Sequence, residues 1–261
     1  MPNTFFGWVS FILEKYGALF LRGTGITMVI AITGTVFGFL IGLLLAILRT
    51  IRLGAKAGWI KRVLRLALNG VITGYIELFR GTPMIVQAMV IYYGATMYLK
   101  NYRINPLAAA IFIVSINTGA YMAEIIRGGI LSIDIGQSEA AHSIGMTHWQ
   151  TMTNVVLPQA IRNIMPSLGN EFVVNIKDSS VLNVISVSEL FFMSKSAAGT
   201  YLRYFEVFFI TAVIYLILTI SVTRVLRLLE KKMDGPDHFT IHGSQSHSKS
   251  LLRTKHQRGA M

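Results

Sequence analysis

The 261-residue sequence contains no cysteine, only 12 acidic residues and few charges of any kind. The absence of cysteine excludes disulfide bonds and thiolate metal sites. Charged residues make up 14% of the chain against 53% hydrophobic residues, and the mean hydropathy is +0.56. A soluble domain of this length needs more polar surface, so the composition indicates an integral membrane protein.

Several motifs that would define other classes of protein are also absent. There is no GxxxxGK[ST] pattern, so the chain does not bind nucleotide phosphates through a P-loop. It lacks HExxH, GxSxG and an intramembrane histidine pair, and His142 and His148, six residues apart, do not share a helical face. These absences argue against a membrane-embedded enzyme. No basic stretch precedes the first apolar residues, so we expect no cleavable signal peptide, and we find no internal repeat.

Basic residues are clustered at the ends of apolar segments. Six of them follow the first long apolar run with no acid among them, and eight more lie between Arg224 and Arg258. The first cluster consists of Arg49, Arg52, Lys56, Lys61, Arg62 and Arg65. Basic residues next to hydrophobic segments are typical of cytoplasmic loops, so the net charge of +12 does not indicate nucleic-acid binding.

About 20 apolar residues are needed to cross the bilayer core as a helix, and five segments meet or approach this length. The predicted spans are 24–48, 83–99, 106–126, 168–192 and 204–226. The fourth is interrupted by Glu171, Asn175, Lys177 and Asp178.

Orientation follows from the distribution of lysine and arginine, because cytoplasmic loops carry the excess. The sequence therefore predicts an all-α integral membrane protein of about five transmembrane helices, with its N-terminus outside and its C-terminus inside. Residues 1–23 would form an extracytoplasmic segment, and 24–234 the transmembrane domain. The loop 127–166 would face the cytoplasm between spans three and four. Residues 235–261, with four histidines and no apolar periodicity, are predicted to be a disordered cytoplasmic tail.

The cytoplasmic loop has the local pattern of two short helices. Asp134 with Gln137, and Thr147 with Gln150, match the capping-box spacing. Gly145 between them suits a left-handed helix end, and Pro158 stops the second helix or starts a new one. The residues alone leave two interpretations open: a docking unit for another protein, or an ordinary connector folded back on the bundle.

The spacing in this loop resembles a family pattern. Glu139-Ala140-Ala141, three residues, Gly145, nine residues, then Val155-x-Leu157-Pro158 is similar to the EAA loop of ABC importer permeases. That pattern has isoleucine where this chain has Val155. The stretches "ELFRGTP", "NTGAYMAEIIRGGI" and "KDSSV" look like the permeases of polar amino acid importers of the histidine, glutamine and arginine type.

This resemblance implies a bacterial inner-membrane subunit that carries no cofactor and catalyses no covalent reaction. The residues implied to receive the motion of a separate ATPase are Glu139, Ala140, Ala141, Gly145, Leu157 and Pro158. The implied partners are a cytoplasmic ATPase dimer that binds ATP, an extracytoplasmic amino-acid-binding protein, and a second permease subunit, identical or a sister chain. A stand-alone ion-coupled secondary amino acid transporter is the alternative, but such proteins usually have more spans and internal repeats.

Two polar stripes on predicted spans three and four indicate the lining of a pathway. Asn117, Tyr121 and Glu124 share one helical face, as do Glu171, Asn175 and Asp178. Charges inside the membrane need partners or water. The predicted substrate-pathway residues are Asn117, Tyr121, Asn175, Lys177, Asp178 and Ser179. The other interpretation is that these residues pair only with one another, as Glu124 can with Arg127. The amino acid itself cannot be read from the sequence.

Three further features can be assigned from the sequence. Gly34, Gly38 and Gly42 form a small-residue ridge suited to close helix packing. Gly81-Thr82-Pro83 is expected to break the chain before span two. We place Glu77 and Arg80 near the cytoplasmic mouth, where Arg80 can extend its charge toward water.

Overall fold

The computed structural model describes residues 2–50, 58–99 and 104–234, and within these ranges the chain forms helices and no strands. Arg52, Lys56, and the predicted tail 235–261 lie outside the described residues. The helices follow one another in the order α1 (Phe5–Thr50), α2 (Trp59–Gly81), α3 (Met84–Tyr98), α4 (Pro106–Leu131), α5 (Ile135–Ser143), α6 (His148–Thr151), a π-helical turn (Met152–Val156), α7 (Leu157–Asp178), a 3-10 segment (Ser179–Ile185), α8 (Leu190–Tyr201) and α9 (Tyr204–Asp234).

Within the described ranges, three helices are long and apolar enough to cross a membrane. These are α1, α4 and α9. A fourth candidate is a bent pair, His148–Ile185 with Leu190–Tyr201, whose two parts meet at 57°. The apolar helix α3 is shorter. The class predicted from the sequence, an all-helical membrane protein, is therefore confirmed.

Helix α1 is much longer than the predicted first span. It contains 46 residues, which correspond to about 69 Å at 1.5 Å per residue. The predicted boundary at residue 24 is not a helix end in the structure. Trp8, Ile12 and Phe20, all before that boundary, are buried against α8 and the start of α9.

The glycine ridge of α1 packs against α4. A Cβ atom added to Gly34, Gly38 or Gly42 would lie 2.4–2.6 Å from the side chains of Val114, Thr118 and Met122, respectively. Successive glycines of α1 meet successive residues of α4 in the same chain direction, so α1 and α4 run parallel. The predicted role of the ridge in close packing is confirmed.

Helices α2 and α3 run antiparallel to α4 and are separated by a short break. Thr82 and Pro83 have extended backbones. Pro83 supplies no amide hydrogen to continue α2, and the residue before a proline favours extended geometry, which explains the break. The predicted break at Gly81-Thr82-Pro83 is confirmed. Residues 59–81, which no predicted span included, form α2.

The predicted fourth span is discontinuous. Helix α7 ends at Asp178, a 3-10 segment follows, and α8 starts only at Leu190. Ser186 (φ +63°) lies in the left-handed region, and Glu189 caps α8 by accepting hydrogen bonds from the amides of Phe191 and Phe192 at 2.8 and 2.6 Å. The α-helical part of this span therefore ends at Asp178, next to Lys177, at two of the four polar residues that interrupt the predicted span.

Candidate functional site

The EAA loop (residues 127–166) turns at Gly145 through a Schellman motif. The Met146 amide donates to the Ala141 carbonyl at 3.1 Å, and the Gly145 amide donates to the His142 carbonyl at 3.0 Å. Gly145 has φ +86°, a conformation that residues with a side chain rarely adopt. The predicted left-handed end of the first short helix is confirmed.

The second short helix begins at the predicted capping box. The Gln150 amide donates to the Thr147 hydroxyl at 3.3 Å, and the Thr147 amide donates to the Gln150 side-chain oxygen at 2.8 Å. At the first helix, the Asp134 carboxylate accepts from the Gly136 amide at 2.7 Å, so Asp134 is an N-cap. Pro158 lies in the first turn of α7, which continues without a break from α6 through the π-helical turn, so Pro158 neither stops the second short helix nor starts a separate one.

The EAA loop presents apolar side chains on its outer surface. Ile144 and Trp149 flank Gly145 and are 79% and 75% exposed, and Ile135 and Leu157 are exposed as well. Glu139 and Ala140 are exposed, whereas Ala141 is buried. Exposed apolar residues grouped around a rigid turn are typical of a docking surface. This arrangement favours a docking unit over a connector folded back on the bundle.

The turn brings together two histidines that do not share a helical face, His142 and His148. The rings of His142 and His148 are stacked, with centroids 6.5 Å apart and planes inclined by 29°. They do lie on different helices, as expected, but the Gly145 turn folds α6 back toward α5. The side chains of the described residues form no group of three or more histidine, cysteine or acidic ligands for a metal.

The loop is attached to the bundle through α4 and α7. Gly129 faces α7 so closely that an added Cβ would lie 2.0 Å from a methyl carbon of Ile164. The Asn163 amide group donates to the Ser132 hydroxyl at 3.0 Å. Both ends of the loop are thus fixed to each other where they enter the bundle.

Glu124 connects α4 to α1 just before the loop. Its carboxylate oxygens accept from Arg49 at 2.6 Å and from Arg127 at 2.7 Å. Arg65 of α2 donates to the carbonyls of Leu48 and Arg49, near the end of α1. The predicted pair of Glu124 with Arg127 is confirmed, and Arg49 is a second partner that sequence spacing did not indicate.

Asn117, one of the predicted pathway residues, belongs to a network at the α2–α3 break. Its amide group donates to the Gln87 side-chain oxygen at 2.8 Å. Gln87 in turn donates to the carbonyls of Phe79 and Thr82, both at 2.9 Å. This network satisfies backbone groups that the break leaves without helical partners.

Asn175 and Ser179 lie inside the helix packing. Asn175 is 3% exposed, donates to Thr35 of α1 at 2.9 Å and accepts from Thr118 of α4 at 3.1 Å. The buried Ser179 hydroxyl donates to the Ile176 carbonyl at 2.9 Å. In this structure both side chains have protein partners, and Asn175 holds three helices together.

A cluster of opposite charges lies beside these residues. The Arg80 guanidinium lies 5.5 Å from the centre of the Tyr121 ring. Glu171 interacts electrostatically with both Arg80 and Asp178. The cluster therefore combines α2, α4 and α7. Lys177, by contrast, is exposed and lines a groove between α7 and α9.

Sequence reasoning missed part of this site. Arg80 lies beside Tyr121 in the middle of α4, not near one end of the bundle as we expected. Sequence spacing does not point to Gln87, because its partner Asn117 is 30 residues away. Glu171 lies on the polar stripe of α7 and is not among the predicted pathway residues, although its separation of seven residues from Asp178 is a usable signal.

Comparison with known proteins assigns this architecture to one family. The model of the binding-protein-dependent transport system inner membrane component matches residues 38–235. The glutamine transport system permease protein GlnP of Escherichia coli (strain K12) is 39% identical over 215 residues, which cover 82% of this chain and 93% of that protein. The probable amino-acid permease protein YxeN of Bacillus subtilis (strain 168) is 34% identical over 228 residues, covering 87% of this chain and 96% of that protein.

Solved structures agree with this assignment. A crystal structure of an amino acid ABC transporter with histidines superposes with a TM-score of 0.75 at 35% identity, covering 89% of this chain and 100% of that chain. The inward-facing MetNI methionine ABC transporter superposes with a TM-score of 0.67 over 84% of this chain and 98% of that chain; at 20% identity, this match shows the fold alone.

The bundle and its EAA loop thus define a multi-pass transport component, not an enzyme. The chain belongs to the family of binding-protein-dependent transport system inner membrane components, the permease subunits of ABC importers. The family assigned by resemblance from the EAA spacing is confirmed. The alternative of a stand-alone secondary transporter has no support in these comparisons.

Proposed function

We propose that this chain is the permease subunit of an ATP-driven importer of polar amino acids. The observation that carries the proposal is the EAA loop, a rigid turn with exposed apolar residues at its tip. The substrate class is supported by the names of relatives that share more than a third of their residues with this chain, one of which is a glutamine transport permease. We therefore place L-glutamine first among the substrates to test.

In this proposal the chain crosses the membrane five times, with its N-terminus outside and its C-terminus inside. The passes are α1, α2 with α3, α4, α7 with α8, and α9. The parallel packing of α1 with α4 and the antiparallel direction of α2 and α3 support this alternation. The basic residues Lys61, Arg62 and Arg65 at the start of α2 support a cytoplasmic location for that end.

The EAA loop would dock on a separate ATPase, which binds the ATP that this chain has no motif to bind. Closure of an ATPase dimer would push the loop, and the loop would move α4 and α7 together because Gly129 and Ile164 are in direct contact. Glu139 and Ala140 are exposed for that partner, whereas Gly145 fixes the turn. Ala141, which is buried, and Pro158 would hold the loop in shape, and Leu157 would belong to its exposed apolar surface. The chain itself needs no cofactor.

The translocation pathway would pass the charge cluster on α2, α4 and α7. An amino acid carries a carboxylate and an ammonium group, and the cluster offers Arg80 for the first and Glu171 and Asp178 for the second. Tyr121 would form the wall beside Arg80. Of the other predicted pathway residues, Asn117, Asn175 and Ser179 would act by holding this wall in position, and Lys177 would act at the groove on α9.

A second permease subunit would complete the pathway, and an extracytoplasmic binding protein would deliver the substrate. The second subunit is either an identical copy or a sister chain. The family description, which includes dependence on a binding protein, supports the delivery step.

Reconstitution of the complex in proteoliposomes tests the proposal. The chain is combined with its ATPase and binding protein, and ATP-dependent uptake is measured for L-glutamine and a panel of amino acids. We expect uptake of at least one polar amino acid that requires ATP and is lost in Asp178→Ala. Uptake without ATP, or failure of any ATPase to associate, would contradict the proposal and favour the secondary transporter.

A further inference from the structure

Three basic side chains line one groove between α7 and α9. These residues are Lys177, Arg224 and Arg227, and the remaining lining residues are Val173, Thr219, Ile220 and Thr223. No acidic residue lines this groove among the described residues. None of the three cations forms a salt bridge within the described part of the chain, and Lys177 has only an electrostatic interaction with its sequence neighbour Asp178.

Lys177, the deepest of these cations, lies at the level of the middle of α9. Helices α7 and α9 run antiparallel, since Gly169 packs against Leu226 while Lys177 shares its groove with Thr219. Thr219 is 15 residues from either end of α9, which spans Tyr204–Asp234. An unpaired cation at such a depth is costly unless water or an anion reaches it.

The α7 wall of the groove indicates water. The face of α7 that carries Lys177 also exposes polar side chains, namely Asn163, Ser167 and Asn170. The exposed face of α1, in contrast, consists of hydrophobic residues such as Val36, Leu40 and Leu44. A lipid-facing helix exposes apolar side chains, so the polar face of α7 is suited to a water-filled cavity.

Arg224 and Arg227 extend the cationic surface toward the end of α9. They are one turn apart on the helix, and both are exposed. A groove lined by cations, with a helix wall on either side, concentrates anions. Lys177 directly precedes Asp178 of the charge cluster on α7, so the groove and the cluster lie at the same level on neighbouring faces of one helix.

We propose that the groove of Lys177, Arg224 and Arg227 binds the carboxylate of the transported amino acid on its way to the cytoplasm. This inference rests on the proposed function, which supplies both the direction of transport and the amino acid class. Arg224 and Arg227 can each hold a carboxylate through two parallel hydrogen bonds, and Lys177 contributes a point charge. The groove would be a release site, separate from the cluster at Arg80.

The absence of cysteine from the chain allows a direct test with one introduced thiol. Thr223→Cys places the thiol in the groove and keeps all three cations, and Ser167→Cys is the matched control on the polar face of α7. Each variant, assembled with its ATPase in liposomes of zwitterionic lipid without nucleotide, reacts with an anionic or a cationic methanethiosulfonate. The mass of the permease chain reports the labelling rate.

We expect the ratio of anionic to cationic labelling rates to be about tenfold higher for Thr223→Cys than for Ser167→Cys. L-Glutamine should slow labelling of Thr223→Cys, whereas L-glutaminamide, which has no carboxylate, should not. Adding Arg224→Gln should abolish the charge preference and the protection, and Arg224→Lys should restore most of the preference.

Four results would overturn the inference. They are an unreactive thiol at residue 223, a charge preference equal to the control, equal protection by L-glutamine and its amide, and loss of the preference when anionic phospholipid is added. The last result would identify a lipid headgroup as the occupant. ATP-dependent uptake by the same liposomes, after the binding protein and ATP are added, distinguishes the two proposals: without uptake the proposed function fails, and with normal uptake but no preference only the groove inference fails.

Discussion

Gly145 is the single residue on which the shape of the EAA loop depends most. Its Cβ position is open, since no heavy atom lies within 4 Å, so the requirement for glycine comes from its backbone conformation alone. We expect Gly145→Ala to cost about 1 kcal/mol locally, and Gly145→Asn less, because asparagine tolerates left-handed geometry. Substrate-stimulated ATP hydrolysis should therefore be highest with glycine at position 145, lower in Gly145→Asn and lowest in Gly145→Ala.

Gly145→Pro is the most severe change at this position. Proline fixes φ near −65° and removes the amide that donates to the His142 carbonyl, so the turn cannot form. Gly128→Ala, at an open position inside α4, is the matched control and should leave hydrolysis unchanged. Full coupling in Gly145→Pro would show that the turn is not needed.

Glu124 is a second residue whose substitution should have a defined effect. Glu124→Gln removes the charge that holds Arg49 and Arg127, at 2.6 and 2.7 Å. Because all three side chains are partly exposed, solvent weakens the two charged hydrogen bonds. We therefore expect the free energy of unfolding to fall by about 1–3 kcal/mol, less than the full value of two such bonds. Thermal unfolding of the reconstituted protein measures the loss, and Glu14→Gln should have no effect, because Glu14 is exposed and forms no ion pair with any described residue.

At the scale of elements, the contact between α1 and α4 leaves no room for side chains. A Cβ on Gly42 would lie 2.4 Å from Met122 Cβ and 2.8 Å from the backbone nitrogen of Ala123. These atoms cannot move without moving α4, so Gly42→Ala should destabilise the bundle by about 1–3 kcal/mol. Gly25→Ala, in open space on the same helix, should be neutral in the same unfolding measurement; equal effects would exclude close packing as the cause.

The elements differ in how well the sequence predicted them. The caps at Asp134 and Thr147 and the turn at Gly145 depend on residues within four positions of each other, so local spacing was enough. The length of α1 was not predictable in this way: its first half is stabilised by Trp8 and Ile12 packing on α8 and α9, almost 200 residues later.

The pathway residues also divide into features that local spacing predicts and contacts that it does not. The polar stripes on α4 and α7 were visible as helical spacing, and the pair of Glu124 with Arg127 followed from it. The partners of Asn117 and Asn175 could not be predicted from helical spacing, because Gln87 and Thr35 are 30 and 140 residues away, respectively. Which polar residues become saturated by protein partners is decided by packing between helices, and a single sequence does not contain that information.

At the scale of the whole molecule, Trp149 should be central to assembly with the ATPase. It is 75% exposed at the tip of the EAA loop, so its substitution costs the isolated chain little. We expect Trp149→Ala to weaken ATPase binding by about 2 kcal/mol, roughly thirtyfold, as for buried aromatic residues at interface centres. Trp59→Ala, equally exposed at the start of α2, is the control.

Titration of the ATPase against the permease in nanodiscs measures both variants. A thirtyfold loss in Trp149→Ala with normal binding in Trp59→Ala is the expected result. Equal affinities would mean that the ATPase contacts the loop elsewhere.

The glycine ridge of α1 also has a consequence for how the chain is made. Each ridge glycine and the residue it packs against are separated by the same 80 positions, as in Gly38 and Thr118. At roughly 5–20 residues per second, the ridge therefore waits about 4–16 s during synthesis before its partner helix exists. During that interval the first helix has its most closely packing surface uncovered, so the insertion machinery or lipid must occupy a groove that the finished protein closes.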